Sequence, residues 1–403
     1  MTILNSQFIY HRKELAEEYC RILSGRSPVN NATSGLFLAA PRRTGKSTFL
    51  RQDLVPEAEN LDWLPIYVDL WADKTRNPAE LIAEAIAAEL DKHAPVAKRA
   101  LRAIGISKVG AAGTTIDIGD GKSQGGITIG AALKKLWEKL LKPIVLVVDE
   151  AQHALTTPEG DKALFALKAA RDELNQEAGK GTRLLLVMTG SSRDKLTFMV
   201  ANRKQAFYGA EITRFPLLDD KFVEAYAKDF NRQFNTAHQF PLDAMKKAFE
   251  LVGRRPEKLR AAVSEAVANC LGPNGLAEMV TTGAAKLQQA AWDEFSNSYT
   301  RLTPPQKAVL DAIARLTPNY EPYGAEAMEA YQKVLGSEPK SSTIQGAIKA
   351  LQVRELVWQS ARGSYAFDDE LLRDYYLRQM YPEPPNLALA GQSASRSKLR
   401  TEK

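Results

Sequence analysis

The sequence has few residues of the kinds that form disulfides or zinc sites. Among 403 residues there are only two cysteines and four histidines. Cys20 and Cys270 lie far apart in different segments, and the histidines lack the short spacing that is typical of zinc ligands. We therefore expect structural thiols in a reducing cytoplasm and no zinc site.

Long apolar runs and a marked excess of one charge are also absent. No run approaches the roughly 20 apolar residues needed to span a bilayer, and the first residues become charged too early for a secretory signal. The formal net charge of +6 permits an acidic partner but does not require one. We therefore expect a cytoplasmic protein without a membrane partner, and 403 residues allow two or three domains.

Short apolar runs alternate with helical patterns over residues 1–215. Runs of this length between turn residues are typical of buried strands. The predicted strands cover residues 36–40, 64–70, 143–148 and 183–189, with a short fifth strand at 213–215. Strands that alternate with helices predict an α/β fold with a parallel sheet and right-handed crossovers.

A glycine-rich stretch interrupts this pattern between residues 104 and 130. It holds eight glycines around two segments of alternating polarity, 114–118 and 127–129. Alternation of this kind predicts an inserted β-hairpin at about 110–130, and a flexible loop is the competing interpretation.

The strand pattern ends near residue 215. Residues 216–298 are predicted to be mostly helical, and residues 382–403 are rich in proline, serine and basic side chains. A tail of that composition is expected to be disordered. The predicted divisions are a sheet domain at 1–215, a helical domain at 216–298, a third domain at 299–381 and a tail at 382–403.

The third domain has a recognisable order of elements. Predicted helices begin at Thr303 and Ser341, and two short strands then flank the turn Arg362-Gly363. Two helices followed by a β-hairpin indicate a winged-helix domain.

The segment from Ala40 to Thr48 carries the strongest chemical signal. It reads APRRTGKST and fits the phosphate-loop pattern G-x-x-x-x-G-K-[ST], with Ala40 in place of the first glycine. Backbone N–H groups and a helix N-terminus bind the β-phosphate in such a loop, and Gly45 allows close approach. Lys46 would bridge the β- and γ-phosphates, and the Ser47 hydroxyl would bind Mg²⁺. The nucleotide contacts expected in this loop are Ala40, Pro41, Arg42, Arg43, Thr44, Gly45, Lys46, Ser47 and Thr48.

A second motif follows about 100 residues later, where a β-branched run ends in Asp149-Glu150. Both acids would lie at the carboxyl edge of the parallel sheet, where ligand-binding residues of such sheets belong. Asp149 would hold Mg²⁺ together with Ser47, and Glu150 would orient and deprotonate the attacking water. The two motifs together predict that the chain binds ATP with Mg²⁺ and hydrolyses it, with Lys46 and Glu150 as catalytic residues.

Four short segments resemble motifs of one ATPase family. They are FIYHRKEL at 8–15, PRRTGKS at 41–47, VDEAQ at 148–152 and GRRPEKL at 253–259. With the helical lid and winged helix, they are similar to AAA+-type P-loop ATPases of the archaeal-ATPase and STAND-like group, which is related to archaeal origin-recognition initiators. The resemblance covers roughly residues 6–381. It implies a P-loop parallel-sheet core, a helical lid and a C-terminal winged helix, with Phe8 and Arg12 beside the adenine.

The same resemblance suggests residues that sense or act on the γ-phosphate. Thr189, or Ser191 just beyond it, ends a strand where the family places a polar sensor, and a strand-end cap is the alternative. Arg193 and Arg203 are candidates for an arginine finger that acts on a neighbouring subunit, although ordinary surface charges are the favoured interpretation.

The lid segment offers a further sensor. One of Arg254, Arg255 and Lys258 would reach the phosphates, and Arg255 is our candidate. The family often places an arginine directly after the proline of this segment, where this chain has Glu257. The identity of the sensor is therefore open.

These features predict an ATP-driven switch. Nucleotide held between core and lid would set the orientation of the lid and winged helix, and so control docking of a protein or nucleic-acid partner or self-association. One alternative is a DNA-binding ATPase of the initiator, loader or transposition-helper type, and another keeps ATP as a structural ligand.

The charge of the winged helix bears on the DNA alternative. Residues 300–382 contain ten Lys and Arg against ten Asp and Glu, and the predicted recognition helix contributes only Lys349. Because DNA affinity depends on basic side chains that neutralise phosphates, protein docking or intramolecular regulation is favoured over DNA binding for this domain.

Overall fold

The structure is a computed structural model in which the chain forms two compact units, residues 1–288 and 289–403. It describes residues 8–27, 32–41, 43–73, 75–93, 115–116, 127–176, 182–191, 193–232, 239–269, 275–317, 320–361 and 364–381. Within these ranges, no helix is both long and apolar enough to cross a membrane.

The first unit is built on a five-stranded parallel sheet. Its strands and those of a separate two-stranded ribbon are β1 (Leu36–Ala39), β2 (Leu64–Asp69), β3 (Thr115–Ile116), β4 (Ile127–Thr128), β5 (Ile144–Asp149), β6 (Leu184–Gly190) and β7 (Ile212–Arg214). The order across the sheet is β2-β5-β6-β1-β7, and every neighbouring pair in it is parallel. The predicted α/β class is therefore confirmed, including the short fifth strand.

Seven helices surround this sheet in the described part of residues 8–215. They are α1 (Lys13–Leu23), α2 (Lys46–Phe49), α3 (Val55–Asn60), α4 (Pro78–His93), α5 (Ile129–Leu140), α6 (Pro158–Asn175) and α7 (Arg193–Ala201). A π-helical turn, Leu50–Leu54, joins α2 to α3, and a 3-10 helix, Ala151–Thr156, follows β5. Asn77 caps the start of α4, because its Oδ1 accepts a hydrogen bond from Ala79 N at 3.0 Å.

The central strands are buried on both faces. In β5, Ile144, Leu146 and Val148 belong to the apolar cluster on one side of the sheet, while Val145 and Val147 belong to the cluster on the other. A strand that must be apolar at every position reads as a continuous β-branched run, which is why the sequence pattern identified it. The consequence for function is that Asp149 ends a strand buried on both faces and Glu150 follows it.

The glycine-rich stretch contains the ribbon of β3 and β4. The two strands are antiparallel, with Thr115 opposite Thr128 and Ile116 opposite Ile127. The residues between them, 117–126, lie outside the described part of the chain.

Residues after the sheet form helices that pack around a separate apolar cluster. They are α8 (Asp220–Asn231), α9 (Leu242–Leu251), α10 (Pro256–Asn269) and α11 (Leu276–Thr300). The cluster includes Phe222, Tyr226, Phe249 and Leu259, and the side chain of Phe8 packs against it. We call α8 to α10 the lid, and its boundary at 215/216 stays a prediction.

The second unit contains α12 (Pro304–Leu316), α13 (Ala325–Leu335), α14 (Ser341–Val353), β8 (Val357–Ala361), β9 (Ser364–Phe367) and α15 (Glu370–Met380). Strands β8 and β9 pair antiparallel. Thr303 and Gln306 form a capping box at the start of α12. The turn Arg362-Gly363 and the predicted tail at 382–403 lie outside the described residues.

Two helices of this unit, α13 and α15, are not predicted from the sequence. The buried face of α13 consists of Ala327, Ala330 and Tyr331, so it lacks the large aliphatic residues that make helical periodicity conspicuous. In α15 the buried residue is the aromatic Tyr376. Neither helix therefore shows the stripe of fully buried aliphatic residues by which a helix is recognised in a sequence.

Candidate functional site

The phosphate-loop segment connects β1 to α2 at the carboxyl edge of the sheet. Gly45 has φ of +86°, a left-handed conformation that favours glycine, and α2 begins at the next residue. Thr44 Oγ1 donates to Pro41 O at 2.9 Å, which closes the loop on itself. Ala40 is fully buried, and its N–H donates to Gly190 O at 3.2 Å. Alanine is therefore small enough for the position where the motif has its first glycine.

Lys46 points from the start of α2 into a buried polar cluster. Its ammonium donates to Asp149 Oδ1 and to Thr189 Oγ1, the latter at 2.9 Å, and lies 3.5 Å from Glu150 Oε1. The side chain is only 5% exposed. The sheet thus brings together four residues that the sequence predicted as catalytic or metal-binding, from the start of α2 and from the ends of β5 and β6.

Asp149 is held through both of its carboxylate oxygens. Oδ1 accepts from Lys46, from the Thr189 hydroxyl and from the N–H of Glu150 at 3.0 Å, and Oδ2 accepts from the Tyr67 hydroxyl at 2.9 Å. Burial alone would raise the pKa of Asp149, but the charge of Lys46 and hydrogen bonds from Lys46, Ser47 and Thr189 outweigh it and lower the pKa to about 2. The carboxylate is therefore ionised at neutral pH.

Glu150 lies beside Asp149 in an unusual backbone conformation. Its φ of +55° is uncommon for a residue with a side chain, and it turns the chain from β5 into the 3-10 helix. The carboxylate accepts hydrogen bonds from Ser191 and Gln152. The carboxyl group is thereby turned toward the loop rather than into solvent.

A cavity of about 430 Å³ opens beside this cluster. The sheet domain, the N-terminal segment and the lid all contribute to it, and its volume lies within the range of small-molecule sites. Its lining residues are Phe8, Ile9, Tyr10, Arg12, Thr44, Gly45, Ser47, Thr48, Phe49, Arg51, Gln52, Asp69, Leu218, Phe222, Pro256 and Arg260.

The N-terminal segment is fixed to this cavity at three points. The Phe8 ring packs against Tyr226 of the lid at 5.4 Å between centroids. The Arg12 guanidinium donates to Pro216 O at 2.9 Å and lies 4.8 Å from the centroid of the Phe215 ring. His11 Nδ1 is 2.8 Å from Oδ1 of Asp53, a buried carboxylate in the π-helical turn. Of this segment, Phe8, Tyr10 and Arg12 line the cavity, so it adds aromatic surface to the wall.

Comparison with known proteins identifies the architecture. Residues 293–379 match a family model described as a probable winged helix domain. The ORC2 protein of Aeropyrum pernix in its ADP form matches with a TM-score of 0.54 and 14% identity, over 94% of this chain and 97% of that one. The chain therefore shares the fold of that ORC2 protein and has a winged-helix domain at 293–379. The predicted fold class and the predicted resemblance are both confirmed at this level.

Other matches are more distant or lacking. The ORC1 protein of A. pernix in complex with DNA aligns with a TM-score of 0.41 and 19% identity, over 94% of this chain and 95% of that one. CDC6P from Pyrobaculum aerophilum aligns with a TM-score of 0.42 and 16% identity, over 94% and 97% of the two chains. No curated protein sequence matches the chain.

Several residues proposed for the site are not among the described contacts of its polar cluster. Arg43 has a positive φ of +66°, and its Nε lies 3.3 Å from Glu257 Oε2 at the start of α10, with both side chains exposed. Arg203 is exposed beyond α7, and Arg255 is not among the residues that line the cavity. Arg42 and the side chain of Arg193 lie outside the described part of the chain.

The candidate site also contains residues that were not predicted from the sequence. Arg260 of α10 lines the cavity and contacts Tyr226, so it is the lid cation nearest the candidate ligand space among the described residues. Arg51 stacks over the Tyr67 ring at 4.6 Å and also lines the cavity. A signal for Arg51 was available, because it lies four residues after Ser47 on the same helical face. Tyr67 could be found only from the sheet order, which places β2 beside β5.

Proposed function

We propose that the chain binds ATP with Mg²⁺ in this cavity and hydrolyses it. The observation that carries the proposal is the buried cluster in which the ammonium of Lys46 meets Asp149, Glu150 and Thr189. A lysine with so little exposure, at the start of the helix after a phosphate loop, supplies a fixed positive charge where a polyphosphate would bind. The aromatic lining of the cavity, which includes Phe8 and Phe222, suits a nucleobase.

The residues at the cluster fit Mg²⁺. Ser47 and Asp149 offer oxygen donors, which this ion prefers, and the lowered pKa of Asp149 keeps its carboxylate charged. Bound with the nucleotide, Mg²⁺ would neutralise charge on the phosphate oxygens. Tyr67 and Thr189 would orient the Asp149 carboxylate through the hydrogen bonds that they already donate.

Hydrolysis requires a group that orients water, and Glu150 is our candidate. The oxygen of a water forms a bond to the γ-phosphorus, while the bond from that phosphorus to the bridging oxygen of ADP breaks. The proton leaves the water for the Glu150 carboxylate. Lys46 stabilises the negative charge on the phosphoryl oxygens during this step.

The cavity also suggests how ATP would act as a switch. Gly45, Ser47 and Arg51 contribute to it from the sheet domain, whereas Phe222 and Arg260 contribute from the lid. A ligand that contacts both sides binds one lid position better than another and shifts the population toward it. The lid would then control docking of a partner.

The proposal is tested by nucleotide binding and steady-state turnover of the full chain. We expect Lys46→Ala to lose affinity for Mg·ATP, and Glu150→Gln to keep binding while turnover falls by about a hundredfold or more. Lys162→Ala, which changes an exposed lysine on α6, is the control and is expected to behave like the wild type. Equal affinity for Mg·ATP in the wild type and Lys46→Ala would sink the proposal.

A DNA-binding ATPase is the second candidate, and the winged-helix match at 293–379 favours it. The helix α14 exposes Ser341, Thr343, Gln345 and Lys349, so few charges are offered to a phosphate backbone. If this candidate is right, duplex DNA stimulates ATP turnover with a steep salt dependence, and Lys349→Ala reduces the stimulation. Lys333→Ala on α13 is the matched control. Turnover that is indifferent to DNA at low salt would leave a protein-docking switch.

A further inference from the structure

The carboxylate of Glu150 is held in an asymmetric way. Oε2 accepts from Ser191 Oγ at 2.7 Å, from Ser191 N at 3.2 Å and from Gln152 Nε2. Oε1 faces the Lys46 ammonium at 3.5 Å. Three donors therefore occupy one oxygen, and the other oxygen is left on the side of the phosphate loop.

The backbone explains how two donors from different elements reach one atom. Glu150 has a positive φ, and the N–H of His153 donates to Glu150 O at 2.8 Å, which starts the 3-10 helix and brings Gln152 back over Glu150. Ser191 directly follows β6, the neighbour of β5 in the sheet. The parallel register therefore delivers Ser191 to the same edge as Glu150.

Gly190 provides the space for Gln152. A Cβ at residue 190 would lie 2.4 Å from Gln152 Oε1, the end of a flexible side chain, and 3.2 Å from its Cδ. Gln152 Oε1 is buried and has no hydrogen-bond partner among the described residues. The position of Gln152 therefore depends on its bond to Glu150 and on the missing side chain at Gly190.

We infer that Ser191 and Gln152 are positioning residues for Glu150, an inference that rests on the proposed function. They fix Oε2 so that Oε1 alone is presented to the water of the hydrolytic step. The sequence offers the hydroxyls of Thr189 and Ser191 as alternatives for one sensor role, but the two have different partners in the structure. Thr189 contacts Lys46 and Asp149, whereas Ser191 contacts Glu150.

The inference is tested on turnover kinetics of the full chain with Mg·ATP. We expect Ser191→Ala to lower kcat about 10- to 100-fold, because a small misplacement of a catalytic group has an effect of that size, while KM and the Kd for ATP change less than about twofold. Ser191→Thr, which keeps the hydroxyl, is expected to recover most of kcat. Gly190→Ala is expected to lower kcat in the same way by displacing Gln152.

A nearby variant controls for loss of a buried hydroxyl. Thr197 of α7 is buried, and its Oγ1 has no hydrogen-bond partner in the part of the chain that the structure describes. Thr197→Val is therefore expected to leave kcat and KM unchanged.

The outcomes separate this inference from the function on which it rests. Wild-type kcat in Ser191→Ala, or a fall in kcat that Ser191→Thr fails to recover, overturns the positioning role while ATP hydrolysis stands. Parallel loss of kcat and ATP affinity in Ser191→Ala also overturns it, because Ser191 would then belong to the binding site. A wild type without turnover overturns the proposed function, and this inference with it.

Discussion

Among single residues, Asp149 shows how competing effects set a site's charge. It is fully buried, which opposes ionisation, yet Lys46, Ser47 and Thr189 hold its pKa at about 2. Because the carboxylate is already ionised, it can bind a cation without first losing a proton. The same contacts link the folding stability of the first unit to pH.

The stability consequence of Asp149 can be measured. Its folded pKa of about 2 lies below the ordinary value of 3.8, so its contribution to stability is complete above about pH 4 and declines as the pH falls toward 2. We expect the difference in unfolding free energy between the wild type and Asp149→Asn to shrink by about 1 kcal/mol from pH 6 to pH 3. Urea titrations at both pH values provide the test. A difference that does not vary with pH would contradict the assigned shift.

Sequence and structure agreed at residues whose chemistry is local. Gly45, Lys46 and Asp149 belong to contiguous motifs beside strands, so their positions in the chain imply their positions at the sheet edge. Arg260 and Tyr67 reach the same site from α10 and β2, and nothing in their own neighbourhoods reveals it. Their roles depend on strand order and helix packing, which a single sequence does not specify.

The sequence predicts the strands that are buried on both faces, but it does not predict helices whose buried side chains are mostly small. Up to their polar carboxyl ends, the strands β5 and β6 are apolar because both of their faces are buried. The helix α13 escaped notice because small alanines form most of its buried face. The fold could therefore be inferred from its most buried strands, whereas the full count of helices in the winged helix could not.

Two glycines in helices provide opposite tests of packing. At Gly160, near the start of α6, a Cβ would lie 2.2 Å from the backbone oxygen of Ala154. At Gly346 in α14, nothing lies within 4 Å of a Cβ. We expect Gly160→Ala to lower the unfolding free energy by about 1–3 kcal/mol, because backbone must shift. Gly346→Ala is expected to raise it by about 0.5–1 kcal/mol through higher helix propensity.

Thermal or urea unfolding of the full chain measures both effects. A tolerated Gly160→Ala would mean that the turn between the 3-10 helix and α6 can rearrange. Destabilisation by Gly346→Ala would mean that a methyl group at residue 346 clashes with neighbouring atoms.

At the scale of the whole molecule, the two units have their own apolar cores. Units with separate cores are expected to unfold in separate transitions. Because every residue lining the cavity belongs to the first unit, we expect Mg·ATP to raise the Tm of one transition only. At a ligand concentration of a hundred times Kd, the added stability is about 2.7 kcal/mol.

Calorimetry of the full chain with and without Mg·ATP checks this expectation. Lys46→Ala, which removes the charge at the phosphate loop, is expected to abolish the shift. A single transition that shifts as a whole with Mg·ATP would mean that the units unfold together.

The π-helical turn at Leu50–Leu54 has a consequence for how one helix serves two tasks. A π turn inserts an extra residue into an α-helix, which rotates everything after it by about 100° about the axis. Within this turn, Arg51 and Gln52 line the ligand space, whereas Leu50 and Leu54 belong to the apolar core. Deletion of one residue from this turn would rotate the residues after it about the helix axis. Packing against the sheet and contact with the ligand space could then not both be kept. One helical segment therefore both packs into the apolar core and lines the ligand-binding cavity.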